Sequence, residues 1–228
     1  MIYFDKVSKI YTNSSSAVAL EDVSFAVEQQ EFVSIVGQSG AGKTTLLKLL
    51  IAEDRPTSGK IFFDSIDIDS VPKKELPAIR RKIGVVFQNF RLLPNRTTYE
   101  NISFAMEAAG RMDEEITNDV PQVLELVSLS DKSSHFPHQL SGGEKQRVAI
   151  ARAIVNQPDV VIADEPTGNL DPLNSWEIIQ ILRKINELGT TILMATHNKG
   201  VIDSLGKRVI TLEKGRIVRD DKKGRYIL

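Results

Sequence analysis

The chain has 228 residues, with 29 Lys plus Arg against 30 Asp plus Glu, a formal net charge of −1 that argues against a polybasic nucleic-acid binder. A composition of 41% hydrophobic and 26% charged residues belongs to a soluble globular protein rather than a disordered one. With no cysteine, a disulfide framework, a thiolate zinc site and a cysteine nucleophile are all excluded.

Ile2–Val7 and Val23–Val27 are short runs rich in Val, Ile and Phe and read as strands, with the polar stretch Thr12–Ser16 as a loop between them. Phe32–Val36 is a run that is apolar but for Ser34, the pattern of a strand buried on both faces. It runs into a glycine-rich turn, after which Thr44–Ala52 reads as a helix. Ile61–Phe63 and Ile83–Phe87 are further strands. From about 89 to 140 strand signals are few, and Glu100–Ala109 and Gln122–Val127 read as helices, so this segment is expected to be a helical lobe inserted into an α/β core. Val160–Ala163 is a buried strand. Asp171 and Pro172 then open a helix, as its cap and first residue, and Ser175–Leu188 carries Ile178, Ile181, Leu182 and Ile185 on one face. Thr190–Ala195 reads as a strand, and Val209–Leu212, Lys214-Gly215 and Ile217–Val218 as a hairpin before the short tail Arg219–Leu228.

No stretch offers the roughly 20 apolar residues of a membrane-spanning helix. The richest, Val148–Val155, is interrupted by Arg152. The start, Met1–Lys6, lacks the apolar core of a secretion signal, so the chain is expected in the cytosol, reaching a membrane only through a partner.

Three stretches carry chemistry. Gly37-Gln38-Ser39-Gly40-Ala41-Gly42-Lys43-Thr44 has the G-x-x-x-x-G-K-[ST] spacing of a phosphate loop. Its glycines let successive backbone N–H groups face an anion, the following helix adds its positive end, and Thr45 continues that helix. Lys43 supplies a charge for the β- and γ-phosphates, and the Thr44 hydroxyl suits Mg²⁺. Val160–Ala163 leads into Asp164, placed for Mg²⁺, and Glu165, a candidate to orient or deprotonate an attacking water. Leu140-Ser141-Gly142-Gly143-Glu144 opens a helix and makes a second anion-binding end.

A phosphate loop followed by LSGGE and a strand ending in Asp-Glu resembles the nucleotide-binding subunit of ATP-binding cassette (ABC) proteins. The resemblance runs along nearly the whole chain. It implies an α/β P-loop NTPase fold: a RecA-like core (1–88 and 141–228) with an N-terminal antiparallel β subdomain and an α-helical lobe (about 89–140), all one domain. It implies ATP and Mg²⁺, and a head-to-tail homodimer in which Ser141, Gly142, Gly143 and Glu144 of one subunit meet the γ-phosphate held by the other. Tyr11 falls where the family stacks an aromatic on adenine. Gln88 resembles the glutamine that touches Mg²⁺ and the attacking water, Asp171 belongs to the loop crossing the dimer interface, and His197 resembles the histidine at the γ-phosphate. Catalysis is then expected from Glu165, His197, Gln88 and Lys43, with Thr44, Gln88 and Asp164 on the metal.

Within the family, Phe87–Pro94, Thr97–Asn101, Ala163–Asp171 and the ending from Gly215–Asp220 up to Gly224-Arg225-Tyr226 resemble the division-associated branch. In that branch the partner is an integral membrane protein of the FtsX type, and the pair controls cell-wall hydrolysis from the cytoplasmic face of the membrane at the septum. The alternative is the ATPase of a lipoprotein-release or macrolide-export transporter, which shares the Ala163–Asp171 stretch. Phe90, Leu92, Leu93 and Tyr99 are expected as exposed apolar contacts for the membrane partner. Asn89 and Asn198 stand where many relatives carry Asp.

Overall fold

The computed structural model describes residues 1–12 and 16–224. In chain order the elements are strands β1 (Ile2–Thr12), β2 (Ser16–Val27) and β3 (Phe32–Val36), helix α1 (Lys43–Leu50), strands β4 (Ser58–Phe63) and β5 (Ile66–Asp67), helix α2 (Leu76–Arg81) and strand β6 (Ile83–Phe87). Helices α3 (Thr98–Ala109), α4 (Asp113–Leu126) and α5 (Gly142–Ile154) follow, then strand β7 (Val160–Asp164), helix α6 (Pro172–Glu187), strand β8 (Thr191–Thr196), helix α7 (Lys199–Leu205) and strands β9 (Arg208–Glu213) and β10 (Arg216–Asp221). Residues 13–15 of the expected polar loop and the last four residues of the expected tail lie outside the described residues. Among the described residues no helix is long and apolar enough to cross a membrane.

The chain divides into two units, Met1–Arg80 with Thr191–Leu228, and Arg81–Thr190. The first unit holds an antiparallel sheet in the order β2-β1-β4-β5. Alternation explains it: Ile2, Phe4 and Val7 of β1 and Val23, Phe25 and Val27 of β2 are buried while their neighbours Tyr3, Lys6, Ser24 and Ala26 are exposed. Phe4 pairs with Phe25, and their rings stack with centroids 4.7 Å apart. The β1–β2 register shifts between Phe4 and Val7, where Lys6 has a positive φ of 48°. There the Lys6 N–H donates to Ser24 Oγ at 2.8 Å, and the Asp22 N–H donates to Ser8 Oγ at 3.0 Å.

The same unit contains a largely parallel layer. β3, buried along its whole length, is parallel to both β8 and β9, and β10 is antiparallel to β9. A strand that is apolar at all positions but Ser34 suits this central place, where both its faces are covered. Arg208 ties the layer's edge. Its guanidinium donates to Asp220 Oδ2 at 2.7 Å, to both Glu31 carboxylate oxygens at 3.1 Å and to the Ala26 carbonyl at 2.8 Å. The Asp220 bonds, ahead of those to Glu31, raise its pKa above the ordinary value.

The second unit pairs β6 with β7 in parallel, and Phe87 lies opposite Asp164. α5 packs on β6 and α3 on α5, burying Ile102, Met106, Val148, Ala149 and Ile150. Asn101 is fully buried, yet every side of its amide is used. Its Oδ1 accepts from the Leu93 N–H at 2.8 Å, and its Nδ2 donates to the carbonyls of Leu93, Arg96 and Thr97 at 3.1, 3.0 and 2.9 Å. A buried amide so satisfied pins the 93–97 segment to α3. The region expected to be a helical lobe contains α3 and α4, and α4 is longer than the sequence pattern suggests. It runs through Pro121, which lacks the N–H that an interior helix position donates.

Candidate functional site

In the first unit the phosphate loop joins β3 to α1. Gly42 caps α1 with φ 106°, and a Cβ there would lie 2.5 Å from the Ala19 carbonyl oxygen, so only glycine fits. The loop closes through the Ala41 N–H donating to the Gln38 carbonyl at 3.1 Å, and the Gly215 N–H holds the Ala41 carbonyl at 3.1 Å. Gly37, Ala41 and Lys43 are buried, Gly42 and Thr45 half-buried, and Ser39, Gly40 and Thr44 exposed. Lys43 Nζ donates to the carbonyls of Gly37 at 2.9 Å and Gln38 at 3.1 Å. The ammonium is thereby held over the loop from which the N–H groups are presented.

His197 belongs to this unit and is exposed. Val36 pairs with Thr196 in the β3–β8 register, so Gly37 and His197 are the residues that follow paired positions at the carboxyl ends of adjacent parallel strands. Asn198 caps α7, its Oδ1 accepting from the Val201 N–H at 3.3 Å, a role that asparagine fills as well as aspartate. Tyr11, half-buried on β1, interacts through its hydroxyl with the side chains of Asp54 and Thr45.

In the second unit the pairing of Phe87 with Asp164 sets Gln88 and Glu165 one residue beyond two adjacent strand ends. Glu165 has φ 48°, a left-handed conformation that turns the chain at the end of β7. Gln88 Nε2 donates to Asn169 Oδ1 at 3.3 Å, and Asn169 Nδ2 donates to the Gln88 carbonyl at 3.3 Å.

Ser141 caps α5 in a reciprocal box. Its Oγ accepts from the Glu144 N–H at 3.2 Å, and Glu144 Oε2 accepts from the Ser141 N–H at 2.7 Å. That backbone bond, against the opposing effect of burial, holds the Glu144 carboxyl below its ordinary pKa. Gly143 is buried, and a Cβ on it would lie 2.0 Å from Asn174 Oδ1. Asn174 is itself fixed: its Nδ2 donates to Asp171 Oδ2 at 2.5 Å. Asp171 caps α6 by accepting from the Leu173 and Asn174 N–H groups, each at 3.0 Å. The 141–144 turn and the start of α6 are thus in direct contact within this unit.

Arg152 has an anchoring role that sequence reasoning missed. From α5 its guanidinium donates to the Arg91 carbonyl at 2.7 Å and the Phe90 carbonyl at 2.9 Å. Phe90 and Arg91 have φ of 59° and 47°, two successive left-handed residues held by that fork. The Arg91 guanidinium lies 3.7 Å from the centroid of the Phe87 ring. The only signal in the sequence was a charge inside the most apolar run, which requires buried acceptors. Phe90, Leu92, Leu93 and Tyr99, expected as exposed contacts, are each half-buried. The arginine fork and the Asn101 amide draw this segment inward.

The sequence pattern of the ABC transporter family matches residues 20–168. The chain is 52% identical to the cell division ATP-binding protein FtsE of Bacillus subtilis over 99% of its own length and 98% of the relative's. It is 48% identical to the FtsE of Mycobacterium tuberculosis, again over 99% and 98% of the two chains. Among solved structures, the dimeric post-hydrolysis state of an ATP-binding cassette bound to ADP and Pi superposes with a TM-score of 0.89 at 38% identity, covering 99% of this chain and 100% of that one. An α/β fold with one antiparallel and one parallel layer, a phosphate loop and an LSGGE helix start accompany these likenesses, and the chain belongs to the ABC transporter family as an ABC-type ATPase.

Proposed function

We propose that this chain is the ATP-hydrolysing subunit of a cell-division complex, working as a homodimer on the cytoplasmic face of the membrane at the septum. Its partner in this reading is an integral membrane protein of the FtsX type, through which ATP-driven shape change regulates cell-wall hydrolysis. Similarity to division proteins over essentially the full length of both chains carries the reading.

Each residue then has a role. The Tyr11 ring receives adenine, and the 37–45 backbone with Lys43 cradles the phosphates. Glu165 orients the attacking water and accepts its proton as the bond from the γ-phosphorus to the bridging oxygen breaks, releasing ADP and phosphate. His197 steadies the γ-phosphate, and Ser141, Gly142, Gly143 and Glu144 serve the nucleotide of the second copy. Asp171 lies in the loop that faces that copy. ATP favours the closed dimer because its γ-phosphate has contacts there that the open form lacks.

Among the described residues no cluster of three or more His, Asp or Glu forms a metal cage. The Thr44 hydroxyl, Gln88 amide and Asp164 carboxylate are hard oxygen donors of the kind Mg²⁺ takes together with water and phosphate oxygens. Mg²⁺ held by donors of this kind would neutralise charge on the β- and γ-phosphates.

Two experiments test the proposal. Glu165→Gln should lower turnover by about 10²–10⁴-fold while the ATP-bound dimer accumulates on gel filtration; unchanged turnover would remove Glu165 from its role. Capture from native membranes should bring down an integral protein that localises to division sites. Recovery of a lipoprotein-release or macrolide-export permease instead would move the chain to transport.

A further inference from the structure

We infer that Lys9 and Asp54 are positioning residues for the Tyr11 ring, fixing it as a one-sided platform tied to the helix of the phosphate loop. The inference rests on the reading of Tyr11 as the adenine-stacking residue and adds residues to which no role in nucleotide binding has been given.

Lys9 and Tyr11 lie two apart on β1. Lys9 Nζ sits 4.9 Å from the centroid of the Tyr11 ring. A cation at that distance from an aromatic face is attracted to it, and it occupies that face. Lys9 is not a loose surface lysine: its side chain is only 12% exposed. Its ammonium donates to Asp54 Oδ1 at 2.6 Å and to the Arg55 carbonyl at 2.7 Å. With one face of the ring covered by a fixed cation, a planar base has the other.

Asp54 fixes both partners. Its Oδ1 accepts from Lys9 and from the Arg55 N–H at 2.8 Å, and its carboxylate interacts electrostatically with the Tyr11 hydroxyl. Burial alone would raise the Asp54 pKa, but the interactions with Lys9, Arg55 and Tyr11 outweigh it and keep the carboxyl ionised. Burial, followed by the interaction with Asp54, raises the pKa of the Tyr11 phenol, so it remains neutral.

These contacts connect the ring to the phosphate cradle. Thr45, whose side chain also interacts electrostatically with the Tyr11 hydroxyl, is in the first turn of α1, two residues after Lys43. Asp54 is in the turn that follows α1, where the Glu53 N–H donates to the Lys48 carbonyl at 2.9 Å. Through Lys9 the ring is therefore tied to the turn that ends the helix beginning at the phosphate loop. A platform anchored in this way holds a base at a set distance from the triphosphate, so affinity need not be lost in ordering the ring on binding.

The test separates base from phosphate. Dissociation constants for ATP and for inorganic tripolyphosphate, which has no base, are measured by calorimetry on the full-length chain and its variants. We expect Tyr11→Ala to weaken ATP about 10-fold or more, and Lys9→Met, Asp54→Asn and Tyr11→Phe about 2–5-fold, with tripolyphosphate unchanged throughout. Lys9→Arg, which keeps the cation, should stay near the parent. Adding Lys9→Met to Tyr11→Ala should cost nothing further, because the lysine acts through the ring. If Tyr11→Ala weakens ATP but Lys9→Met and Asp54→Asn do not, the positioning inference is overturned and the adenine reading stands. If Tyr11→Ala leaves ATP affinity unchanged, the adenine reading itself fails and takes the inference with it. Equal weakening of ATP and tripolyphosphate in the Lys9 and Asp54 variants would mark a general structural effect and also overturn it.

Discussion

Gln88 and Asn169 hold each other by two reciprocal bonds, each 3.3 Å, between residues 81 apart in sequence. Asn169 thereby sets the direction of the Gln88 amide, and Gln88 fixes the turn that leads from Glu165 to Asp171.

Asn169→Ala removes both bonds. Loss of one net hydrogen bond's worth of positioning, about 1 kcal/mol, corresponds to roughly a 5-fold fall in kcat. The KM for ATP should stay within about 2-fold, because neither bond involves the phosphate loop. Steady-state phosphate release measures both; a KM effect larger than the kcat effect would contradict the assignment.

Arg152→Leu leaves the Phe90 and Arg91 carbonyls without their fork. The expected loss of stability is about 1.5–3 kcal/mol, the range for bonds from a charged donor. It is read as a lower urea midpoint with the m-value unchanged. Arg152→Lys should recover only part of the loss, since an ammonium cannot reproduce the planar two-pronged contact.

Gly143→Ala places a methyl group 2.0 Å from Asn174 Oδ1, so Asn174 must give up its bond to Asp171 or the helix start must shift. Overpacking of this kind costs about 1–3 kcal/mol. In an Asn174→Ala background the penalty should shrink, and a double-mutant cycle of unfolding free energies detects the coupling. Additive effects would show that the two side chains do not compete for the same space.

Stability should fall on acidification as the helix-capping carboxylates are protonated. The bond from the Ser141 N–H keeps the Glu144 pKa below its ordinary value, and the bond from the Asn174 N–H does the same for Asp171. The Thr97 and Met112 N–H groups do the same for Glu100 and Glu115. Each group has a lower pKa folded than unfolded, so its contribution is full above the ordinary value and is lost as pH falls through the folded one. Urea midpoints measured in a pH series should show these contributions intact down to about pH 5 and declining below about pH 4. Glu144→Gln should flatten part of that decline, and an unchanged acid slope would contradict the capping assignment.

The phosphate loop, the strand-end pair Asp164-Glu165, the Ser141 cap and the Asp171-Pro172 helix start were all legible in the sequence. Their chemistry is carried by backbone geometry and by side chains a few residues apart, as the Ser141–Glu144 and Asp171–Asn174 bonds show. The strand cores were legible as well, because four of the five positions of β3, all but Ser34, are apolar. Their ends were not: β2 extends back to Ser16 and β1 forward to Thr12, through residues whose strand character comes from pairing rather than hydrophobicity.

Tertiary structure alone decided which distant groups meet. Arg152 reaches carbonyls 61 and 62 residues away, Gln88 finds Asn169, and Lys9 finds Asp54 across 45 residues. No local periodicity specifies such pairs. They exist because the packed strands and helices bring their ends together, and because a polar group removed from water by that packing must find a partner.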